Sequence, residues 1–362
     1  MSGTSVDAID AVLMDFSESD TQIISSYSHE IESDLRDSLN SLITEKTLPE
    51  NHAHIDKQFA KASSNAVTTL LKQSSINSND IIAIGSHGQT IFHDPKGNPA
   101  VSIQLGNPQI IANTVGIPTI GNFRQADIDA GGQGAPLACA YHAAVLQSST
   151  EERVVLNLGG IANITKLPSD RSEPIIGFDT GPANTLMDIW IKRHLSKTHD
   201  ESGSWAKSGK INNNLFKLML DDDYFAATPP KSTGREHFSI DWLHACLEIH
   251  NEHIAPQDTQ ATLLALTTRT IANSITTWCP NVSNVLLCGG GSENTYLVEQ
   301  LKSVLSETTI QKTSDYGVPA KWMEAMAFAW LAKQHANNKP GNIPSVTGAD
   351  KAVKLGELFK PN

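Results

Sequence analysis

Short apolar runs alternate with longer stretches of helical spacing along most of this chain. Ile9–Phe16, with Val12, Leu13 and Met14 inside it, predicts a strand, and Tyr27–Ile31 predicts another. Leu35–Ile43 and Ile55–Leu71 repeat apolar residues at helical intervals. In the second these are Ile55, Phe59, Ala62, Ala66, Val67, Leu70 and Leu71. Ile81–Ile84 and Val101–Leu105 predict further strands, and Pro108–Val115 a short helix.

From Ile117 the texture changes. Pro118–Arg124 leads into Asp127, Asp129 and the glycine-rich Gly131-Gly132-Gln133-Gly134-Ala135-Pro136. The lobe boundary is placed there, with a first lobe of residues 1–130, joined by the tail 340–362, and a second of 131–339. Beyond it, Ala138–Leu146 predicts a small-residue helix, and Val154–Leu158, Ile161–Leu167 and Ile175–Phe178 predict strands. Helices are predicted over Thr185–Leu195, Asn213–Leu220, Ile240–His250 and Asp258–Thr277. Val285–Cys288 reads as a buried strand, Thr295–Leu305 and Trp322–His335 as helices, and Ile343–Val346 as extended chain. In each half a glycine turn and a hairpin precede strands alternating with helices, which suits two similar α/β lobes with a ligand in the cleft between them.

Composition narrows the partners. With 362 residues there is chain for two lobes, and 39% hydrophobic with 18% charged residues fits a globular protein. A net charge of −12 argues against nucleic acid and anionic membrane as partners, so a small molecule is expected. Phosphates would be repelled at long range, so a nucleotide site must be built locally from backbone N–H groups and a metal. Cys139, Cys246, Cys279 and Cys288 lack C-x-x-C spacing and read as buried thiols of a reducing compartment. No apolar run has membrane-span length and no signal-like segment opens the chain; the expectation is a cytoplasmic protein. His52 with His54, and His250 with His253, have spacings open to a metal, but nothing else supports one.

The chemistry-bearing segments each admit a plain structural reading. No G-x-x-x-x-G-K-[ST] sequence occurs, so a P-loop is excluded. Gly131–Gly134 is either a turn or a ligand loop. In Met1-Ser2-Gly3-Thr4-Ser5-Val6-Asp7-Ala8-Ile9-Asp10, glycine allows close approach to an anion, Thr4 and Ser5 offer hydroxyls, and Asp7 and Asp10 suit hydrated Mg²⁺. The same residues also suit a free terminus. Asn157–Ile164 carries Gly159-Gly160 between two strands, as any tight hairpin would. Gly289-Gly290-Gly291 follows a buried strand and precedes a helix, which exposes backbone N–H groups to a ligand. Asp179 stands at a strand's C-terminal end before a helix, as a cap or as a general base. Glu324 opens an almost wholly apolar helix, either turned to solvent or put to use.

Taken together these segments resemble the anhydro-N-acetylmuramic acid kinases. The resemblance rests on Met1–Asp7, Ser86–Thr90, Asn122–Asp127, Asn157–Asn163, Phe178–Pro182, Cys288–Asn294 and Glu324–Ala329, in family order across nearly the whole chain. It implies the two-lobed actin-like ATPase fold (α/β, sugar kinase and ribonuclease H-like) with the active site in the inter-lobe cleft. It implies a kinase that uses ATP and water to open 1,6-anhydro-N-acetylmuramic acid and phosphorylate O6, in peptidoglycan recycling. By the same resemblance Gly3, Thr4, Ser5, Val6, Asp7, Ala8, Ile9 and Asp10 match a first phosphate loop. Gly159, Gly160 and Asn163 match a second, and Gly289, Gly290 and Gly291 an adenosine loop. Asp179 matches the catalytic base and Glu324 an active-site acid. Gln89, Thr90, Arg124, Asp127 and Asp129 are substrate-side candidates. Mg²⁺ is expected to be held mainly through ATP and water, with Asp7 and Asp10 as candidate carboxylates. The partners are ATP and an amino sugar, with a homodimer left open. Another sugar kinase of the same fold and a non-catalytic sugar or nucleotide sensor remain the alternatives.

Two departures stand out. Ala8 and Ala183 occupy positions where the family usually has glycine, which would matter if either needed a positive φ. In the family a short apolar strand also precedes Met-Ser-Gly-Thr-Ser. Here the chain begins at that Met, so the expectation is an unpaired edge beside Ile9–Phe16 and a phosphate loop at a free end. Weaker ATP binding and lower stability than in a version extended upstream are then expected.

Overall fold

The computed structural model describes every residue except 4, 5, 18–20 and 46–51. In chain order its strands are β1 (Ala8–Asp15), β2 (Gln22–Glu30), β3 (Ile84–Gly85), β4 (Gln89–Asp94), β5 (Val101–Leu105), β6 (Thr119–Gly121), β7 (Arg153–Leu158), β8 (Ile161–Leu167), β9 (Ile176–Pro182), β10 (Asn284–Cys288), β11 (Thr309–Lys312) and β12 (Glu357–Phe359). The chain divides into two units, one of Met1–Val145 with Trp322–Asn362, the other of Leu146–Lys321. The breaks fall elsewhere than the 130/131 and 339/340 read from the sequence. The helices Ala138–Leu146 and Met323–Ala336 belong, essentially whole, with the first unit, where the rings of Tyr141 and Trp330 lie 6.1 Å apart and those of Phe123 and Phe328 5.4 Å apart.

In the first unit, β1 and β2 form an antiparallel hairpin from Ala8↔Glu30 to Asp15↔Gln22. Val6, Ile9, Ile31, Leu39, Phe59, Ala66, Ile91 and Leu105 make its core. The helix His52–Ser74 contributes Phe59, Ala66 and Leu70 from one face because they recur at helical spacing. A separate sheet places β6 between β3, parallel to it, and β12, antiparallel to it. Ile120, Phe123, Phe328, Leu331 and Leu355 pack around that sheet. Among the described residues β1 pairs only with β2 and β3 only with β6. An apolar groove of about 690 Å³ runs along β1 and residues 81–86, walled by the helices His52–Ser74 and Met323–Ala336.

Two predicted elements change. Of Ile81–Ile84 only Ile84 enters a strand; Ile82 is 83% exposed, so the run follows apolar character without the burial that normally causes it. Ile343–Val346 is not extended. Pro344–Thr347 is a helical turn, with Pro344 in its first turn and Gly348 left-handed at its end.

The second unit holds a five-stranded sheet in the order β11-β10-β7-β8-β9. β10 runs parallel to β7 and β11, while β8 is antiparallel to both its neighbours. Continuous apolar runs make β7 and β10 because both faces are covered. Val154, Leu156, Val285 and Leu287 are buried, and the helix Pro256–Trp278 packs Leu263, Leu264, Leu266, Ile271 and Ile275 into the same core. No helix among the described residues is long and apolar enough to cross a membrane.

Candidate active site

At one end of the second unit's sheet the two glycine turns meet. Gly159 and Gly160 link β7 to β8, and Gly289–Gly291 follows β10, which is paired with β7 through Cys288↔Asn157. Gly289 is left-handed at φ +78°, and a Cβ there would lie 2.9 Å from the Leu158 carbonyl oxygen and against Asn157 Oδ1. Only glycine allows this approach of loop to strand. Gly290, next to it, has nothing within 4 Å of a Cβ position. Asn184, at the start of the helix Asn184–Leu195, fastens the other turn. Its Nδ2 donates to Leu158 O at 3.1 Å and to Gly159 O at 2.8 Å. Asn163 stands across from Asn157 on one side and Asp179 on the other.

Asp179 lies on β9 at that same end and is held from three directions. Its N–H donates to Lys231 O at 3.1 Å. Its carbonyl oxygen accepts from Tyr224 Oη at 2.7 Å, and its Oδ2 accepts from the Thr233 N–H at 2.9 Å. Burial raises its pKa to about 7, with a smaller upward push from Glu236 and an opposing pull from the Thr233 hydrogen bond. β9 continues through Asp179 to Pro182, so the acid sits inside the strand and not at its end as the sequence predicts. A buried carboxylate poised near neutrality there suits proton transfer.

In the first unit, Met1 and Asp10 exchange backbone hydrogen bonds, N to O at 2.9 Å and O to N at 2.8 Å. Asp10 Oδ1 accepts from Ser28 Oγ at 2.6 Å. A Cβ on Gly3 would lie 3.8 Å from Glu324 Oε2, so the glycine and the acid adjoin. Glu324 is exposed on the first turn of its helix, yet desolvation pushes its pKa up; the Met1 ammonium and Arg124 pull it down and Asp10 adds to the rise. The Met1 ammonium is itself pushed down to about 6 by burial. Arg124 donates from Nε and Nη2 to His87 Nε2 at 3.2 and 2.9 Å, and from Nη1 to Gly134 O at 2.8 Å.

Other candidates are placed as follows. Thr4 and Ser5 lie outside the described residues. Val6 is buried in the left-handed region at φ +54°, and Asp7 is exposed. Ala8 is not at positive φ and Ala183 sits at φ −110°, so neither position calls for the positive φ that favours glycine. Gln89 is 3% exposed with Oε1 lacking a partner among the described residues, and Thr90 Oγ1 accepts from Gln104 Nε2 at 3.3 Å. Asp129 is exposed and bonded to Gln125. Asp127 is fully buried and accepts from Gly134 N, Asn342 Nδ2 and Thr347 Oγ1, each at 2.7 Å. Its carboxylate is thus engaged in anchoring the C-terminal tail. No group of three or more metal-ligating side chains occurs among the described residues.

Tyr224, Lys231, Thr233, Glu236 and Asn184 bear no role in the sequence alone, and His87 is marked there only as part of Ser86–Thr90. The run Pro229-Pro230-Lys231-Ser232-Thr233-Gly234-Arg235-Glu236 was the available signal, a dense polar turn between helices.

The family model described as anhydro-N-acetylmuramic acid kinase matches residues 1–361. The chain belongs to that family. A protein named anhydro-N-acetylmuramic acid kinase from Coxiella burnetii is 43% identical over 361 residues, covering 99% of this chain and 96% of its own length. Relatives so named from Saccharophagus degradans and Pasteurella multocida are 42% and 41% identical, covering 98% and 95% of their own lengths. Among solved structures, a 2-hydroxyisocaproyl-CoA dehydratase activator from Clostridium difficile with bound ADPNP covers 91% of this chain and 98% of its own. Its TM-score of 0.43 at 12% identity is too slight to bear on fold or activity.

Proposed function

We propose that this protein is an ATP-dependent kinase that opens 1,6-anhydro-N-acetylmuramic acid with water and phosphorylates O6, giving N-acetylmuramic acid 6-phosphate and ADP. Family membership sets the substrate, and the observation that carries the mechanism is the Asp179 carboxylate, fixed by Thr233 and shifted to a pKa of about 7. Asp179 takes a proton from water as the water oxygen bonds to C1. The C1–O6 bond breaks, and O6 bonds to the γ-phosphorus while the bond from phosphorus to the bridging oxygen of ADP breaks. Asp179 then releases its proton to solvent. A positioned base contributes about 10²–10⁴-fold.

The glycine turns at residues 159–160 and 289–291 supply backbone to the nucleotide, and Gly3 to Asp10 supply a phosphate loop. Asp10, with Asp7 beside the same loop, fits a hydrated Mg²⁺ reached through water. Bound with ATP, Mg²⁺ would neutralise charge on the transferring phosphoryl group. Glu324 and Arg124 serve the sugar. A reaction fed by ATP belongs in the cytoplasm. The test is ADP release with the anhydro sugar, which requires wild-type turnover and its loss in Asp179→Asn. Turnover only with amino sugars that lack the anhydro bridge would point to another sugar kinase, and ligand binding without product to a sensor.

A further inference from the structure

Arg124 is delivered by the turn after β6, where Asn122 takes the left-handed region at φ +54° and Phe123 is buried against Phe328. A guanidinium carries five N–H groups. The side fork, Nε and Nη2, is spent on one neutral acceptor, His87 Nε2, and one N–H of Nη1 on Gly134 O. His87 is locked in that role. Its Nδ1 lies 2.8 Å from Gly88 O, so Nδ1 carries the proton and donates it, leaving Nε2 as acceptor. Its ring lies 4.5 Å from that of Phe328, and burial holds its pKa well below 6.5, so it stays uncharged.

The consequence is a cation without an anion. No carboxylate forms an ion pair with Arg124 among the described residues; Glu324 acts on it only at longer range. Burial lowers the Arg124 pKa to about 10, and Glu324 offsets only part of that cost. One N–H remains on each terminal nitrogen, the pair that binds a planar carboxylate through two parallel hydrogen bonds. Muramic acid differs from glucosamine by a lactyl ether that ends in a carboxylate.

We infer that Arg124 presents its two remaining N–H groups to the lactyl carboxylate and so selects the muramyl sugar over its glucosaminyl counterpart. The inference rests on the kinase reading above and adds the group that the protein recognises. His87 acts as a positioning residue, since it fixes the plane of the fork without neutralising its charge. A phosphoryl oxygen could accept from the same fork, so the experiment must separate sugar from nucleotide.

The experiment measures kcat/KM for 1,6-anhydro-N-acetylmuramic acid and for 1,6-anhydro-N-acetylglucosamine in the wild-type protein and in Arg124→Gln, with the KM for ATP recorded in each. Wild-type protein should favour the muramyl sugar by about ten- to a hundredfold, the worth of a charge-assisted contact. In Arg124→Gln that preference should collapse through a higher muramyl KM, with the KM for ATP unchanged. An equal loss on both sugars would mark a structural role, and a rise in the KM for ATP a phosphate contact; either overturns the inference. Should the variant not fold, the methyl ester of the lactyl group is tested on wild-type protein. A KM raised about ten- to a hundredfold is expected, and an unchanged KM overturns the inference. ADP release with neither anhydro sugar would instead sink the kinase reading itself.

Discussion

The hydroxyl of Tyr224 donates to the backbone carbonyl of Asp179 across 2.7 Å, while the Thr233 N–H holds the Asp179 carboxylate at 2.9 Å. Two points on one short segment thus fix both the middle of β9 and the side chain it carries. Tyr224→Phe removes one of these ties. The loss should cost about 0.5–1.5 kcal/mol of stability and lower kcat about three- to tenfold, with the KM values for sugar and ATP unchanged. Steady-state kinetics on both substrates checks this; a KM effect without a kcat effect would contradict it.

Asp179→Asn should lower kcat by about 10²–10⁴-fold and leave ATP binding intact, as calorimetric titration of nucleotide would show. Loss of nucleotide binding in the variant would mean that Asp179 serves the loops rather than the reaction.

The raised pKa of Asp179 also sets a pH dependence. As a base it must be ionised, so kcat/KM should fall about tenfold per pH unit below about 7. Its effect on stability has the opposite sign. The folded pKa lies above the ordinary 3.8, so its contribution is fully present below 3.8 and is lost as pH rises through about 7. Asp179→Asn, neutral throughout, should therefore raise Tm by a few degrees at pH 8 and by less as pH falls towards 5. A Tm gain that is the same at all pH values would contradict the assignment.

What could be read in advance followed from local pattern. β7 and β10 were legible because both sheet faces are covered and the apolar runs Val154–Leu156 and Val285–Cys288 are unbroken, and β8 as their hairpin partner across the Gly159-Gly160 turn. Asp179 was legible as an acid following an apolar strand, although that strand runs on through it to Pro182. The contacts that tune it were not, because Thr233 lies 54 residues away and its N–H leaves no mark in side-chain chemistry. Arg124 was visible, but its neutral partner His87, 37 residues earlier, was seen only as part of a motif. Ile81–Ile84 misled because an apolar run marks a strand only where neighbours bury it, and Ile82 has none that do. Asp127 looked like a ligand residue because a buried acid and an exposed one are spelled alike; its partners Asn342 and Thr347 come from the chain's far end.

Neighbouring glycines should respond differently. Gly289→Ala places a methyl against Leu158 and Asn157 at φ +78° and should cost about 1–3 kcal/mol. Gly290→Ala meets open space and should leave Tm unchanged while raising the KM for ATP several-fold. Thermal melts with and without nucleotide separate the two; an unchanged ATP affinity in Gly290→Ala would remove that loop from the nucleotide site.

Asp127→Ala strands three donors, from Gly134, Asn342 and Thr347. Stability should fall by at least about 3 kcal/mol, or about 6–12 °C in Tm. The kcat/KM of the protein that remains folded should be unchanged, measured well below Tm. A selective rise in sugar KM would restore Asp127 to the substrate site.

The central claim is that water, activated by Asp179, attacks C1 while O6 goes to phosphorus. Turnover of 1,6-anhydro-N-acetylmuramic acid in ¹⁸O-water, quenched early and read by mass spectrometry, tests it most directly. The account predicts one ¹⁸O on C1 of the sugar phosphate and none in the phosphoryl group. Label in the transferred phosphoryl group, or an unlabelled C1, would contradict it.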